Sequence, residues 1–527
     1  MLIYFVLVPI LTGAFLYLFP FAKAGRVVAI FAQAALLAAA VYLFSLVQTD
    51  EMITGAGNYT GVLGVFLRAD RLAAVFVMLT ALVFLLVAVY SFHEENRLFW
   101  FLLFIFEGAL IGLFLTRDLF NLFVLAEVST VVAAILLMYQ RNRRSMYHGM
   151  AYLLVNVIVM QFYLLGIGFI YRMTGVLDME YSAYLLSTVD RSELVLPFAL
   201  TMTAIAAKAS LLPLFTFLPK VHSITGAPAA VAAILSGLQV KSGLYLFLRF
   251  RPLFASLDLD GFFLILGAIT ALFGVIFALV QSDIKRILAY STIAQVGLIM
   301  IGLNLPDAYA YYGSVYHIVG HAIVKSALFF GAGIVANTYG TQNIAEIRGV
   351  FRRMPAVGIA TVLAILGITG APLFSGNISK YFMMAEVNLP LFILMSVINL
   401  GTILVFIKYA AMLFGQPRSD LEPVQTEKIQ QFVILLLGGF SFIGGVLGES
   451  FIFVLFGVDL SVSFGGYVQK IIILVVSWGL GYLLYTYFPR NDVWKSRIRR
   501  LDFGFRGICV SIGVFFAIAL LVVGFLI

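Results

Sequence analysis

The chain has 527 residues, of which 63% are hydrophobic and only 11% are charged. Soluble proteins carry about 25% charged residues, so this composition excludes a water-soluble fold and indicates a membrane protein. The net charge of +8 does not indicate nucleic-acid binding, because most basic residues fall in short loops between hydrophobic segments. The single cysteine, Cys509, excludes an internal disulfide and a cysteine metal cluster.

Long apolar segments follow one another along the whole chain. A spanning helix needs about 20 apolar residues, and this rule predicts about fifteen or sixteen spans. The first segment lacks a small-residue cleavage site, so we expect it to be a membrane helix and not a signal peptide. The predicted spans are residues 2–20, 26–47, 71–92, 98–116, 119–139, 147–172, 194–219, 226–249, 261–281, 286–303, 311–337, 355–386, 388–414, 429–449, 468–488 and 507–527.

Basic residues concentrate in alternate loops. Basic loops face the cytoplasm, so both termini are expected on the outer side of the membrane. Arg249 and Arg251, at the outer end of one helix, are the exception. The basic loops contain Lys23 and Arg26, then Arg141, Arg143 and Arg144, then Lys285 and Arg286, then Arg348, Arg352 and Arg353, and finally Lys495, Arg497, Arg499, Arg500 and Arg506. No loop is long enough for a soluble domain, so we expect no catalytic centre and no cofactor in this chain.

Two apolar segments contain helix-breaking residues. AIAAKASLLPLFTFLPK contains Pro213 and Pro219, and GITGAPLFSGNISKYF contains Gly370, Pro372 and Gly376. Proline removes a backbone donor, and the freed carbonyls are tolerated in lipid only inside protein or beside water. Such a pair indicates an inverted repeat with transport sites at the breaks. We therefore predict repeats at 98–250 and 260–414, flanked by helices in 1–97 and 415–527.

Ionisable residues deep inside these segments are candidate sites, because burying them in a membrane is costly. Glu127 lies about 12 Å from its nearer helix end, too deep to reach water. Lys208 adjoins the first break, and a Glu127–Lys208 pair would let the lysine alternate between charged and neutral forms. Lys241 is also deep, and the small residues Ser242 and Gly243 beside it predict a polar cavity.

The segment YHIVGHAIVKSALFF repeats an ionisable residue every four positions. His317, His321 and Lys325 therefore share one helix face, and histidine passes protons near neutral pH. A zinc site would need a glutamate and a third ligand, so we predict no metal. Lys380, just after the second break, completes the predicted relay. Additional candidates, for which a structural or helix-end position is the alternative, are Glu107, Lys220, His222 and Lys408.

Four runs in this order resemble one known family. They are NLFVLAEVST, KASLLPLFTFLPKVHSITGAPAAVAAILSGLQVKSGLYLFLR, QSDIKRILAYSTIAQVGLI and HIVGHAIVKSALFFGAG. Over about residues 60–415 the chain resembles the antiporter-like subunits of Mrp-type cation/proton antiporters, respiratory complex I and membrane-bound hydrogenases. The resemblance implies an all-α polytopic fold of about 14–16 helices. It also implies two inverted five-helix repeats, each with a broken helix.

The resemblance also assigns roles to individual residues. Glu127 matches the glutamate of the family's fifth helix and Lys208 its lysine partner. Lys241 matches the relay lysine of the eighth helix, and Lys380 the terminal site of the twelfth. The central relay of the eleventh helix is matched by His317, His321 and Lys325. Two motifs depart from the family pattern: Lys220 replaces a small residue in LPKVH, and Gly320 replaces asparagine in HIVGH.

These observations predict a proton-translocating subunit, with sodium as a second candidate ion, in a multisubunit complex of a prokaryotic plasma membrane. Its expected partners are other membrane subunits and the lipid bilayer, and energy would come from a redox arm or an opposing cation gradient. Two alternatives stay open. One is a self-sufficient secondary transporter, and the other is an energy-coupling subunit of an inorganic-carbon uptake system.

Overall fold

A computed structural model describes residues 1–19, 22–56, 64–224, 228–417, 427–487, 497–498 and 503–526. The part of the chain so described is mainly helical, with one pair of short strands. The elements are α1 Ile3–Leu18, α2 Ala22–Leu46, β1 Met52–Ala56, β2 Val65–Ala69, α3 Arg71–Tyr90, α4 Arg97–Leu115, α5 Leu119–Leu137, α6 Arg143–Thr174, α7 Met179–Leu186, α8 Arg191–Lys208, α9 Leu218–His222, α10 Ala229–Ile234, α11 Val240–Phe250, α12 Asp260–Val280, α13 Ile284–Leu303, α14 Ala308–Tyr339, α15 Val350–Arg353, α16 Pro355–Thr369, α17 Ser375–Met383, α18 Leu389–Ala410, α19 Lys428–Val446, α20 Gly448–Phe456, α21 Phe464–Tyr487 and α22 Phe505–Leu526.

The chain is a multi-pass membrane protein. By length and composition, 13 helices within the described residues can cross a membrane. The shorter apolar helices α1 and α16 are additional to these. The helix α8 is not among the thirteen and fills only the first part of the predicted span 194–219. The central helices α13 and α14 are buried along most of their length, whereas α21 is exposed along most of its apolar surface, as lipid contact requires.

Three predicted loops contain regular structure. The connection 48–70 forms an antiparallel hairpin in which Met52 pairs with Ala69, and α7 and α20 occupy parts of the connections 173–193 and 450–467. The fold is therefore not purely helical. Five-residue strands and short helices are below the length at which a hydrophobic period can be read. Most of the basic segment 489–506 lies outside the described residues.

Asp and Asn side chains begin many of the helices. Such a side chain accepts a backbone N–H that the first turn leaves unpaired. The capping residues are Asp70, Asn96, Asp118, Asn142, Asp178, Asp190, Asp283, Asp307 and Asn388. These polar caps determine the residue at which each of these helices begins.

The two predicted repeats share a local pattern at equal intervals. Asp118 caps α5 and forms an isolated β-bridge with Asp178, which follows α6. Asp283 caps α13 and forms an isolated β-bridge with Asn343, which follows α14. The helices α6 and α14 are both 32 residues long. The helix α6 ends at the left-handed Gly175 and α14 at the left-handed Gly340. Gly340 follows Gly175 by the same number of positions as Asp283 follows Asp118.

Both proline- or glycine-containing segments leave helical geometry next to a lysine. The helix α8 ends at Lys208, and a 3-10 turn at Leu214–Phe217 precedes α9. The helix α16 ends at Thr369, Gly370 adopts a left-handed conformation, and α17 begins at Ser375. A side chain at Gly376 would overlap the carbonyl oxygen of Gly367, so only glycine lets α17 pack this closely on α16.

Ion pairs at one end of the bundle join α11 to the start of α3 and the residue after α11 to the start of α12. Arg249 donates to both carboxylate oxygens of Asp70, at 2.7 and 2.6 Å, and Arg251 pairs with Asp260 at 2.6 Å. The two arginines that were exceptions to the loop-charge pattern thus have carboxylate partners. Burial would raise the pKa of Asp70, but the hydrogen bonds and positive charge of Arg249 outweigh it and hold this pKa below its usual value.

We expect Asp70→Asn to lower the thermal unfolding midpoint of the purified protein at neutral pH. The lost charged hydrogen bonds are worth about 2 kcal/mol, while asparagine still caps α3. Because the folded pKa of Asp70 is lowered, its stabilisation is complete above the unfolded pKa of about 3.9 and is lost as pH falls through the folded value. The variant should therefore lose less stability than wild type on acidification. Asp260→Asn, in a more exposed pair, is the control, and equal midpoints for both variants would contradict the assignment.

Candidate proton-transfer site

Lys208 reaches the helix that carries Glu127 without touching the carboxylate. The Lys208 ammonium is buried and donates to the hydroxyl of Thr130 at 2.6 Å, one turn along α5 from Glu127. Glu127 itself is partly exposed, and within the described residues its Oε1 has no hydrogen-bond partner. Within the described residues no direct hydrogen bond or ion pair joins Lys208 to Glu127, and the pairing predicted from sequence stays a prediction. A hydroxyl lies between the two helices instead.

A small cavity adjoins Lys208. Its volume of about 10 Å³ is close to the minimum that one water molecule needs. Polar side chains on α6, in the break and near α11 line it, namely Tyr152, Asn156, Ser210 and Gln239, together with Lys208. A single water there would have several polar partners, including the amide of Gln239, which donates to Ser129 at 3.4 Å.

Lys241 lies directly after a widened turn. Residues Leu235–Gln239 form a π turn between α10 and α11, and the buried Lys241 ammonium donates to the Ser236 carbonyl within that turn. Such turns are rare and are often found at functional sites. Gly243 does not line the cavity that the sequence predicted, because a side chain there would overlap the backbone of Ala209. It lets α11 pack directly against the first break.

Neutral hydroxyls lie between the surroundings of Lys241 and those of Lys325. The hydroxyl of Ser236 is 2.9 Å from that of Thr292 on α13. Lys325, which is fully buried on α14, donates to the Leu288 carbonyl at 2.9 Å and to the Ser291 hydroxyl, both on α13. The helix α13 therefore contacts Lys325 directly and contacts Ser236, the residue whose carbonyl accepts from Lys241.

The two histidines are stacked next to Lys325 on α14. The rings of His317 and His321 are 6.0 Å apart, on the shared helix face that the four-residue spacing predicted. His317 contacts Ser379 at 2.8 Å and Gln295 at 3.0 Å. Within the described residues neither ring nitrogen of His321 has a hydrogen-bond partner, although the ring is buried. Neither nitrogen of the His321 ring is therefore committed to a hydrogen bond within the described residues.

Lys380 on α17 makes a hydrogen bond across the second break to the end of α16. Its buried ammonium donates to the Ile368 carbonyl at 2.6 Å and to Asn399 Oδ1 at 2.8 Å. The Ile368 carbonyl is one of those that the end of α16 leaves unpaired. Beyond it lies Lys470 on α21, whose ammonium contacts Met384 Sδ at 3.2 Å and lies over the Phe392 ring.

The additional candidates have diverse surroundings. Glu107 is fully buried and contacts Gln33 on α2, away from the residues described above. Lys220 donates to the Phe503 carbonyl, next to α22, and Lys408 donates to carbonyl oxygens at the end of α12. His222 is buried, bonds to the Leu218 carbonyl of its own helix at 2.9 Å and packs on Phe329. The contacts of Lys220 and Lys408 fit helix fixation better than proton transfer.

Sequence reasoning did not select the neutral polar residues between the ionisable ones, nor Lys470. They are Ser129, Thr130, Tyr152, Asn156, Ser236, Gln239, Ser291, Thr292, Gln295, Ser379 and Asn399. Isolated polar residues on otherwise apolar helix faces were the available signal. Lys470 lies only two residues inside the predicted span 468–488, so the depth criterion did not select it; the structure begins this helix earlier, at Phe464.

Comparison with known proteins gives a consistent result. Residues 116–407 match the family described as NADH:quinone oxidoreductase/Mrp antiporter, TM. The chain is 32% identical over 388 residues to an Na(+)/H(+) antiporter subunit of Alkalihalophilus pseudofirmus, covering 71% of this chain and 78% of that one. It is 34% identical over 336 residues to an NADH-quinone oxidoreductase subunit of Desulforudis audaxviator, covering 61% and 66%.

A solved structure agrees in fold. A chain of the Mrp complex from Dietzia sp. DQ12-45-1b aligns with a TM-score of 0.81 and 20% identity, over 92% of this chain and 98% of that chain. The matched region, residues 116–407, contains every residue of the predicted relay, from Glu127 to Lys380. On the family match over more than half of its length and the identity to the Alkalihalophilus antiporter protein, the chain belongs to the NADH:quinone oxidoreductase/Mrp antiporter transmembrane family.

Proposed function

We propose that this chain is a proton-translocating, antiporter-like subunit of a multisubunit membrane complex. The observation that carries the proposal is a row of ionisable groups, all buried except the partly exposed Glu127, with neutral hydroxyls and amides among them. In order along the bundle, the row is Glu127, Lys208, Lys241, Lys325, His321, His317 and Lys380. Ionisable groups are costly to bury in a membrane, and a role in proton conduction explains why this chain contains so many of them.

Proton transfer along this row needs groups that both accept and donate. Within the described residues each lysine ammonium donates to a carbonyl or a hydroxyl and not to a carboxylate, so it can lose its proton without leaving an unpaired anion. Serine and threonine hydroxyls can accept a proton from one side and donate one to the other. The cavity beside Lys208 would hold the water that bridges to Gln239 and the π turn.

The equal spacing of the local pattern supports an organisation in two repeats, and their inversion stays a prediction from the sequence. We assign the first repeat to residues 98–250 and the second to 260–414, with α8–α9 and α16–α17 as their broken helices. The two histidines of α14 have equally spaced counterparts on α6, where Tyr152 and Asn156 correspond to His317 and His321. The halves would then contribute different chemistry at equivalent places, a lysine–water site in one and a histidine pair in the other.

The driving energy must come from another subunit or from a second ion. The names of the relatives, an Na(+)/H(+) antiporter subunit and an NADH-quinone oxidoreductase subunit, correspond to a cation gradient and a redox reaction. We assign the chain to a prokaryotic plasma membrane with both termini outside, on the loop-charge rule. Sodium is a candidate second ion because one relative is named as an Na(+)/H(+) antiporter subunit.

Purification of the tagged chain in mild detergent, with mass spectrometry of the proteins bound to it, tests this function. We expect other membrane subunits to copurify, and the complex to move protons in vesicles. Small membrane subunits alone would identify an antiporter complex, whereas iron–sulfur or flavin subunits would identify a redox-driven one. Proton transport by the isolated chain would contradict the multisubunit proposal and favour a solitary transporter. A soluble carbon-hydrating partner would place the chain in inorganic-carbon uptake.

A further inference from the structure

A carboxyl–carboxamide pair lies in the N-terminal helices, apart from the row of relay residues. Gln33 on α2 donates from Nε2 to Glu107 Oε2 on α4, and both side chains are fully buried. Glu107 is at least about 12 Å from either end of α4, and Gln33 is at least about 16 Å from either end of α2, at 1.5 Å per residue. Both groups therefore lie near the centre of the membrane.

The surroundings offer no positive charge to stabilise a carboxylate at this depth. The other charged residues of α1–α4 within the described part of the chain are near helix ends, namely Lys23, Arg26, Arg71 and Arg97. Of the helices packed against α4, α5 contributes Glu127 and α11 contributes Lys241 and Arg249, and none of these forms an ion pair or hydrogen bond with Glu107. An ionised Glu107 would be an uncompensated charge in hydrocarbon.

Two oxygen atoms of the pair need a donor. Glu107 Oε1 and Gln33 Oε1 are both buried, and neither has a hydrogen-bond partner within the described residues. A carboxylate and an amide carbonyl cannot donate to each other, whereas a carboxylic acid can donate to the carbonyl. One proton bound to the carboxyl would therefore satisfy both oxygens in one hydrogen bond.

We propose that Glu107 and Gln33 form a proton-binding site outside the relay. The Glu107 carboxylate binds one proton on Oε1, the resulting O–H donates to Gln33 Oε1, and Gln33 Nε2 donates to Glu107 Oε2. The resident proton stays bound during turnover and joins α2 to α4 through two hydrogen bonds. The site thus takes a proton as ligand, but it does not pass that proton along the row.

Infrared difference spectroscopy of the purified complex at neutral pH tests the site. The carbonyl stretch of a protonated carboxylic acid is separate from the amide bands and shifts in heavy water. We expect such a band in the wild type, its loss in Glu107→Gln, and a displaced band in Gln33→Leu, where the acid has lost its partner. Glu95→Gln, at an exposed carboxylate, is the control. Identical spectra for wild type and Glu107→Gln would overturn the proposal.

Transport assays distinguish this site from the relay. Glutamine at position 107 imitates the protonated acid and can keep two hydrogen bonds to Gln33, so we expect Glu107→Gln to fold and to transport at close to the wild-type rate. Loss of transport in this variant, with the complex still assembled, would place Glu107 in the relay and overturn the resident-proton assignment. The infrared band does not depend on transport, so failure of the proposed function would leave this test valid.

Discussion

Replacement of Lys208 by alanine is expected to abolish proton transfer through the chain while the protein remains folded and assembled. The change removes the lysine that lines the cavity beside the first break and leaves the Thr130 hydroxyl without its donor. Loss of a positioned proton carrier lowers rates by about 100-fold or more. Glu127→Ala should have the same effect, because Glu127 is the carboxylate on the same helix as Thr130. Proton uptake into vesicles containing the complex, followed with a pH-sensitive dye, measures both.

Two kinds of control make this prediction specific. Lys23→Ala and Glu95→Ala remove groups of the same type near helix ends and should transport normally. Lys208→Arg keeps the charge but cannot release a proton, so we expect it to be as inactive as the alanine variant. An active arginine variant would mean that Lys208 acts only as a fixed positive charge. Near-normal transport in Lys208→Ala would remove this residue from the relay.

Lys380→Ala is expected to cause an equally complete loss, because the Ile368 carbonyl and Asn399 would lose their common donor. Lys380→Glu should retain part of the activity. A protonated glutamate can still donate to the Ile368 carbonyl, whereas an ionised one cannot, so the variant should work best at acidic pH. The dye assay at several pH values measures this dependence.

The matched control for the second break is Lys408→Ala. Lys408 also donates to carbonyl oxygens at a helix end, but it lies outside the row of relay residues. We expect reduced thermal stability and retained transport in this variant. Equal loss of transport in Lys380→Ala and Lys380→Glu at every pH would show that position 380 requires an amine and not simply a titratable group.

The depth of charged residues in the sequence was sufficient to select most of the row. Lys241 could be selected by its depth, Lys325 by its four-residue spacing from His321, and Lys380 by its place after the second break; the same spacing put His317 and His321 on one helix face. Most helix bounds also followed from apolar length. The exceptions are α8 and α16, which end at Lys208 and Thr369, well before the ends of the predicted spans 194–219 and 355–386; in α16 the cause is Gly370, which ends the helix.

The partners of these residues could not be predicted. Periodicity says which residues share a helix face but not which helices are neighbours, so neither the Thr130 contact of Lys208 nor the Gln33 contact of Glu107 could be inferred. The π turn before Lys241 has no signal in composition, because its residues also suit an α-helix. Whether two ionisable groups touch each other also depends on the distances between packed helices, which cannot be read from the sequence.

The π turn at Leu235–Gln239 gives Lys241 a way to change direction. A π turn holds one residue more than an α-helical turn, and one residue corresponds to about 100° of rotation about the helix axis. If the extra residue moved along the segment, Lys241 would swing away from the Ser236 carbonyl by a large angle while the ends of the segment stayed in place. Arg249, held by Asp70, fixes the far end of α11. A reorientation of one ammonium group between two sets of acceptors would then need only a local shift of helical register, with no displacement of whole helices.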